Sequence, residues 1–450
     1  MVKQKSVSGG IFLKSKWSAD DLPIELLPAP SHVVIPLVQH AGPPSMPCVK
    51  IGQHVAGGQM IGLPHADGAV AIHASVSGVV SDIVRYPYTR SPGAFSVAIE
   101  NNGNDEFASP IPYDKPWQDS SPQELIAKIR LGGIIDAAGN GVPLDSVLFA
   151  GPSSPIHTLI VNMVADEPFM SADARLLIEH VEKVFTGIAI CLHASGASEC
   201  LLVVDEKRAP VVGAVTTMLA DERFRSYTLL KIKKAHYPIH NERLLIRACT
   251  GIELPEETRA SEVGIATIGI AAAFAVAEAI IGLVPSCRRV VTVAGPLTGT
   301  PKNLLVPVGT PARLLLESCS VDLSQVKKLV FGGILSGQAV QDLDRPITRS
   351  VSAILPLDTT FGRDEQRCIG CRRCRGVCPV RLEPARLAML VRTGQIAELD
   401  EWNISECIEC GCCAWVCPSK INLVHWLALG KVQSLAMAQK PAAQVKKVAA

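Results

Sequence analysis

The chain has 450 residues, 48% of them hydrophobic and 19% charged, which is enough for several domains with cores of their own. Its 43 basic and 42 acidic residues nearly cancel, so the net charge favours neither nucleic acid nor an anionic membrane surface as a partner. The start, MVKQKSVSGGIFLKSKW, is basic but lacks an apolar segment, so we expect no secretory signal.

The first block, residues 1–118, predicts a small all-β domain. Short apolar runs such as HVVIPLV and AVAIHASVSGVVSDIV alternate there with turn residues. The stretch from VKIGQHVAGG to SGVVSDI resembles a lipoyl- or biotinyl-type barrel sandwich. Its turn, PHADGA, lacks the lysine that a swinging arm would carry, so we expect a structural or docking role.

The second block, residues 119–230, predicts an α/β domain. A helix, PQELIAKIRLGG, should begin after a cap at Ser120 or Ser121, with Pro122 in its first turn. A strand (HTLIVNMV), a long helix (SADARLLIEHVEKVFTGIAICLHASG) and a second strand (ECLLVVD) follow. This alternation is typical of a largely parallel sheet.

The third block, residues 231–356, predicts a compact α+β module, because VVTVAGPLTGTPKNLLVPVGTPARLLLES has the order strand, turn, strand, helix. The segment from Val263 to Val284 is long enough to cross a bilayer. It is rich in Ala and Gly and contains Glu278, which favours a strand followed by a buried helix. We therefore predict no transmembrane helix.

The fourth block, residues 357–432, contains two cysteine runs and predicts a helical metal-binding domain; the polar tail, residues 433–450, is expected to be disordered. The runs, CIGCRRCRGVCP and CIECGCCAWVCP, both have the spacing C-x2-C-x2-C-x3-C-P of paired [4Fe–4S] clusters in bacterial ferredoxins. In that arrangement the fourth ligands are exchanged between the runs. The predicted ligands are Cys368, Cys371, Cys374 and Cys417 for one cluster and Cys407, Cys410, Cys413 and Cys378 for the other.

Zinc sites and disulfides account for these cysteines less well. Zinc ribbons separate their C-x2-C pairs by a longer stretch, and disulfides suit small secreted chains. Cys412, the ninth cysteine of the two runs, is expected to be a buried apolar residue beside a cluster. The six cysteines outside the runs lack ligand spacing and indicate a reducing compartment. The arginines of the first run, Arg372, Arg373 and Arg375, raise the potential of the first cluster, steer an acidic partner such as ferredoxin, or form a solvated face.

Longer stretches resemble the RnfC family, the C subunits of Rnf-type ion-translocating ferredoxin:NAD oxidoreductase complexes. They are IPLVQHAGPPSMPCVKIG, TLIVNMVADEPFMSADARLLIEH, YPIHNERLLIRACTGIELP, VTVAGPLTGTPKNLLVPVGTP, FGGILSG and CIECGCCAWVCPSKINLV. The resemblance implies a multidomain α/β and α+β fold: a barrel-sandwich β domain, a flavoprotein-like α/β domain, an SLBB-type module and a helical ferredoxin-like twin-cluster domain.

The resemblance also implies an iron–sulfur electron-transfer subunit of an oxidoreductase and translocase, peripheral on the cytoplasmic face of the inner membrane. The implied partners are other subunits of the membrane complex, ferredoxin or another redox protein, and NAD(H); no nucleic acid is expected. The implied cofactors are two [4Fe–4S] clusters and FMN. On the flavin and NADH side, the matching residues are Gly139, Gly141, Asn162, Glu167 and Glu242.

The sequence departs from the family on this flavin side. The family loop G-x-G-G-A-G-F-P-T is DAAGNGVPL here, with Asp136 and Ala138 in place of glycines. Glycines let backbone N–H groups approach a phosphate, and an acidic side chain repels it. The motif N-G-A-E-C-E-P is NMVADEP, which brings in the bulk of Met163, and Y-P-Q-G-G-E is YPIHNE. These changes favour a flavin pocket that is remodelled or lost.

Three functions remain open on the sequence alone. The first is a relay subunit that uses FMN and NADH. The second is a relay or assembly subunit that has lost both and serves a different redox partner. The third, a cobalamin-reductase-like protein, fits less well because related reductases place the sandwich domain last.

Overall fold

The computed structural model describes residues 9–13, 19–85, 94–136, 141–149, 151, 154–164, 167–233, 235–358 and 364–438. Within these ranges, no helix is both long and apolar enough to cross a membrane.

The elements follow one another in a mixed order. In chain order the strands are β1 (Ile24–Leu26), β2 (His32–Pro36), β3 (Met46–Pro47), β4 (His54–Val55), β5 (Met60–Leu63), β6 (Ile72–His73), β7 (Gly78–Arg85), β8 (Phe95–Asn101), β9 (Ile135–Asp136), β10 (Val142–Pro143), β11 (Thr158–Met163), β12 (Glu199–Asp205), β13 (Thr228–Ile232), β14 (Ile265–Gly269), β15 (Arg288–Val293), β16 (Lys302–Pro307), β17 (Lys328–Phe331), β18 (Gln338–Val340) and β19 (Ala353–Leu357). The α-helices are α1 (Pro122–Leu131), α2 (Leu144–Leu148), α3 (Ala172–Glu179), α4 (Val181–Ser195), α5 (Ala209–Leu219), α6 (Glu242–Thr250), α7 (Ile270–Ile280), α8 (Ala312–Ser318), α9 (Arg373–Gly376), α10 (Pro384–Arg392), α11 (Cys412–Trp415) and α12 (Leu423–Ala438).

The N-terminal block folds as two small antiparallel sheets, with strand orders β2-β8-β7-β4 and β3-β5-β6. Alternate residues of β2, such as Val33 and Ile35, are fully buried between the sheets. The apolar alternation in the sequence therefore marks the inward face of each strand. The prediction of a small all-β unit is confirmed.

The α/β block is built on the parallel sheet β13-β12-β11-β14. Helix α1 begins at the predicted place: the Ser121 hydroxyl accepts the Glu124 N–H, and the Glu124 carboxylate accepts the Ser121 N–H. The strand order reverses between β11 and β14, and the carboxyl ends of these two strands form the crevice where open α/β sheets bind ligands.

Several predicted boundaries differ from the structure. The α/β sheet passes residue 230, because β14 pairs with β11. The predicted long helix is interrupted at His180, which separates α3 from α4. The last helix continues to Ala438, beyond residue 432, and residues 439–450 lie outside the described part of the chain. The predicted strand and buried helix between Val263 and Val284 are confirmed as β14 and α7.

The third block contains a six-stranded mixed sheet of order β1-β16-β15-β19-β17-β18. Its β15, β16 and α8 have the predicted order of strand, turn, strand and helix. Strand β1 falls within the residues predicted for the sandwich domain, but it pairs in parallel with β16 instead. The N-terminal block is thereby joined to a sheet almost 280 positions away in sequence.

The sandwich, the α/β domain and the third block meet around Arg349. Its guanidinium is buried and donates to the carbonyls of Ala71 (2.9 Å) and Gly133 (2.6 Å), one from each neighbouring block. Gly133 has a φ of +64°, and a Cβ there would lie 2.2 Å from the Ala71 carbonyl oxygen, so only glycine fits.

Candidate metal centre

The two cysteine runs have the same backbone conformation. In each run the third and fifth residues, counting the first cysteine as one, have positive φ, as does the residue three positions after the fourth cysteine. These residues are Gly370, Arg372 and Arg381 in the first run and Glu409, Gly411 and Lys420 in the second. Alternating right- and left-handed residues direct successive N–H groups to one side, which makes the concave backbone nests seen around iron–sulfur clusters.

Four of the predicted ligands line one cavity. Cys407, Cys410 and Cys413 of the second run contribute to its wall, and Cys378 of the first run completes it. We call these four residues the inner set. The first-run cysteine thus lies among the second-run cysteines, as an exchanged fourth ligand requires.

The four remaining predicted ligands form the outer set. Cys368 and Cys371 are exposed, whereas Cys374 and Cys417 are buried in the core of the cluster domain. Two hydrogen bonds bring the start of the first run beside the end of the second: the Gln366 N–H donates to the Ser419 carbonyl, and the Ser419 hydroxyl donates to the Arg367 carbonyl, each at 2.9 Å. Ser419 follows Cys417 by two residues, so Cys417 is held next to the first run.

The side chains of the inner set around this cavity are thiols, the ligands that hold a [4Fe–4S] cluster. In a [4Fe–4S] cluster each thiolate binds a different iron, so the ligands surround the cluster and do not meet at one point. Among the described residues, no group of three or more histidine, cysteine, aspartate or glutamate side chains is placed so that it could hold a metal ion. The donor set, the cavity and the nests therefore suit a cluster, and the individual ligand assignments remain predictions.

Burial affects the protonation of the inner thiols. It raises the pKa of Cys407 to about 12. The pKa of Cys410 is lowered instead, chiefly because the Cys412 thiol donates a hydrogen bond to it. Most of these sulfurs carry a proton until iron displaces it, so cluster binding releases protons. Cys412 is fully buried, as predicted from the sequence.

Tyr237 connects the α/β domain to the inner set. Its hydroxyl donates to the Cys410 carbonyl at 2.7 Å, and its own carbonyl oxygen lies 3.8 Å from the Cys412 sulfur. Residues 9–13 run beside it: Ile11 pairs with Tyr237, and the Gly10 N–H donates to the Val377 carbonyl at 2.9 Å. Tyr237 opens the motif YPIHNE, and nothing in that motif predicted a contact with the cysteine runs.

The flavin side of the α/β domain lies at the carboxyl ends of β11 and β14. There the buried Asp136 carboxylate accepts the Gly269 N–H at 3.1 Å, at the N-terminus of α7. A helix N-terminus at a sheet crevice is the place where such folds bind phosphate. The Gly269 N–H is thus already bonded to the Asp136 carboxylate. A flavin phosphate bound to the same N–H does not fit this arrangement.

Two predicted flavin-side residues, Asn162 and Glu242, bond to other groups of the α/β domain. The Asn162 amide donates to the His240 carbonyl (2.9 Å) and accepts the Val164 N–H (3.1 Å), so both of its polar atoms are used. Glu242 accepts a hydrogen bond from the Thr267 hydroxyl. Met163 points away into the α/β core, so its bulk does not enter the crevice as the sequence suggested.

The remaining predicted flavin-side residues are placed differently. Glu167 is buried and bonds to the β17–β18 loop, accepting the Leu335 N–H (2.8 Å) and the Ser336 hydroxyl. Gly141 has a φ of +73°, and its carbonyl accepts the Ala41 N–H of the sandwich domain. Gly139 lies outside the described residues. Glu167 and Gly141 are therefore used in contacts between domains.

The folded units define a multidomain iron–sulfur protein with a barrel-sandwich domain, a flavin-domain-like α/β unit and a ferredoxin-type domain. Family models match each unit: the RnfC barrel sandwich hybrid domain over residues 5–104, the Nuo51 FMN-binding domain over 129–278, and the 4Fe-4S dicluster domain over 365–421.

Comparison of whole chains gives the family. The chain is 31% identical to the C subunit of the proton-translocating ferredoxin:NAD(+) oxidoreductase complex of Clostridium ljungdahlii, over 98% of this chain and 96% of that one. It is 32% identical to the C subunit of the ion-translocating oxidoreductase complex of Pseudomonas aeruginosa, over 96% of this chain and only 56% of that one. The chain belongs to the RnfC family. A solved NAD+-reducing [NiFe]-hydrogenase shares the fold, with a TM-score of 0.50 and 17% identity over 74% of this chain and 68% of that one.

Proposed function

We propose that this chain is the iron–sulfur electron-transfer subunit of a membrane-associated Rnf-like redox complex. It relays electrons between donors on the ferredoxin and NADH side and the membrane subunits, at the cytoplasmic face of the inner membrane. The relatives named above are subunits of ferredoxin:NAD(+) or ion-translocating oxidoreductase complexes, which supports this proposal.

The observation that carries the proposal is the shared cavity of Cys378, Cys407, Cys410 and Cys413. When bound, a cluster at each set supplies one-electron chemistry. The chain holds the inner set against the α/β domain through Tyr237, and it places Cys368 and Cys371 of the outer set at the surface. The two ends of the relay therefore face different surroundings, one inside the protein and one towards solvent.

An iron assay tests this function. The full chain, purified and reconstituted without oxygen, should contain about eight irons, four for each cubane. The charge-transfer absorbance of the clusters should bleach with a chemical reductant. A chain that binds zinc and almost no iron would contradict the proposal.

A second candidate is a relay subunit that does not use FMN. The bond between Asp136 and the Gly269 N–H favours it, because an internal carboxylate takes a helix N-terminus that a phosphate would need. If this second candidate is right, the purified chain retains no FMN after gel filtration. The cluster absorbance is then bleached by reduced ferredoxin and not by NADH. Asp136→Gly should then raise FMN retention, and Asp136→Asn should raise it less.

The domain division remains part of the proposal. We assign residues 1–118 to the barrel sandwich, with β1 excepted, and extend the α/β domain from 119 to about 280. The mixed sheet, which ends with β19 at Leu357, would be the SLBB-type module, supported by its order of strand, turn, strand and helix. The twin-cluster domain then runs from 358 to the end of α12. The sandwich and SLBB-type modules would dock other subunits.

A further inference from the structure

The start of the first cysteine run is exposed and cationic. Residues 364–373 are all exposed, including Cys368 and Cys371, and the Ile369 side chain is 71% accessible. The guanidinium groups of Arg372 and Arg373 have no hydrogen-bond or ion-pair partner in the part of the chain that the structure describes. We call the surface of residues 368–373 the outer face.

The second run provides an internal comparison. Its twelve residues, 407–418, contain one glutamate and no basic residue, whereas residues 368–379 contain three arginines and no acidic residue. The whole chain has a net charge of only +1, so the three arginines of this run do not reflect a general excess of basic residues. A local field of this kind orients a partner of opposite charge as it approaches.

The two runs have an isoleucine at the same place, and the surroundings of these two side chains differ. Ile408, the second residue of the second run, packs against the apolar core that contains α6. Ile369 has the same place in the first run but projects into solvent. The second run thus packs on the α/β domain through this position, whereas the equivalent surface of the first run is exposed to solvent. An apolar centre with a charged rim is typical of a protein–protein interface.

The backbone does not explain the arginine at position 372. Arg372 has a φ of +57°, and the second run has Gly411 at this place with a φ of +76°. A residue with a Cβ is disfavoured there by about 1 kcal/mol relative to glycine. The charge is therefore present in spite of the local conformation.

We propose that the outer face is the docking site for an acidic electron-carrier protein that exchanges electrons with the outer set. This inference rests on the electron-relay function proposed above and names the surface and the partner chemistry. Acidic side chains of the carrier would pair with Arg372 and Arg373, and its apolar centre would cover Ile369. Each electron that enters the outer set is one that the reduced carrier loses.

A binding experiment tests the outer face directly. The probe is a small acidic two-cluster ferredoxin, and the double variant R372G/R373Q removes both charges while giving position 372 the residue of the second run. R223Q/R225Q, on an exposed loop of the α/β domain, is the control with the same change in charge. We expect R372G/R373Q to bind oxidised ferredoxin about tenfold to a hundredfold more weakly at low ionic strength, and the difference to shrink as salt is added. Electron uptake from reduced ferredoxin should fall in parallel, whereas reduction by dithionite should not change.

The outcomes separate the proposals. Equal ferredoxin affinity and equal salt dependence for R372G/R373Q and the native chain would overturn the docking site. Loss of binding to phosphatidylglycerol vesicles in R372G/R373Q, with ferredoxin binding intact, would assign the face to lipid and also overturn it. The native chain could hold eight irons and be reduced by dithionite, and yet neither bind ferredoxin nor be reduced by it. That result would overturn the docking site and leave the relay function standing. A chain without iron would overturn the relay function itself.

Discussion

The two cysteine runs of this protein have one spacing and one backbone conformation, but their surroundings differ. The second run lies against the α/β domain, with Ile408 packed against that domain's core and Tyr237 bonded to Cys410. The first run has an exposed start in which Arg372 and Arg373 lack partners among the described residues. Ligand spacing therefore determines the local loop, and the neighbouring residues decide which set is internal and which is open to a partner.

The largest effect is expected from removing the exchanged ligands. If the fourth ligands cross, Cys378→Ser removes the inner cluster and Cys417→Ser removes the outer one, and each variant keeps about four irons. The remaining iron should differ in its access to an iron chelator. Loss should be fast from Cys378→Ser, because Cys368 and Cys371 of the outer set are exposed, and slow from Cys417→Ser. Iron content and the rate of chelation measure this. Slow loss from Cys378→Ser together with fast loss from Cys417→Ser would show that the ligands do not cross.

Tyr237 gives the next largest effect. Its side chain is only 1% accessible, so Tyr237→Ala should lower the free energy of unfolding by about 3–5 kcal/mol through the cavity it leaves. Tyr237→Phe should cost about 1 kcal/mol, because it keeps the ring and removes the hydrogen bond to the Cys410 carbonyl. On the outer run, Ile369→Ala should change stability by less than about 0.5 kcal/mol. Denaturant unfolding under anaerobic conditions measures all three, and a cost for Ile369→Ala equal to that of Tyr237→Ala would contradict the inner and outer assignment.

Local patterns in the sequence were sufficient for the elements that rest on neighbouring residues. The cap at Ser121 and the strand and helix between Val263 and Val284 are confirmed, since capping and apolar periodicity act over a few residues. The pairing of β1 with β16 and of β14 with β11 was not predicted. Strand partners distant in sequence are chosen by the assembled core, which no local pattern encodes.

In the candidate site, too, local features were predicted from the sequence and long-range contacts were not. Cysteine spacing was enough to propose both ligand sets, because cluster ligands are concentrated in short loops. The bond between Glu167 and the β17–β18 loop and the contact of Tyr237 with the second run were not foreseen. Both join residues about 170 positions apart, and their partners are backbone groups, which any residue type provides.

The stability of the sandwich domain should respond to mild acid. Burial and the neighbouring Arg349 guanidinium lower the pKa of His73 well below its ordinary value, and the same causes lower the pKa of His40. The folded protein therefore binds fewer protons than the unfolded chain below about pH 6.5, and stability that is present above this pH is lost as the pH falls. His73→Gln should reduce that slope by up to about 1.4 kcal/mol per pH unit. Unfolding measured from pH 7.5 to 5.0 checks this, with iron content as the control for the clusters.

The smallest effect is expected at the position that is Arg372 in the first run and Gly411 in the second. Arg372→Gly gives the first run the residue of the second at a φ of +57°, so it should raise the free energy of unfolding of the reconstituted protein by up to about 1 kcal/mol. Gly411→Ala makes the opposite change in the second run and should cost a similar amount. Paired denaturant titrations would measure both. If Arg372→Gly destabilises the protein instead, the Arg372 side chain supports the fold of the first run. Partner binding would then not be the whole role of this arginine.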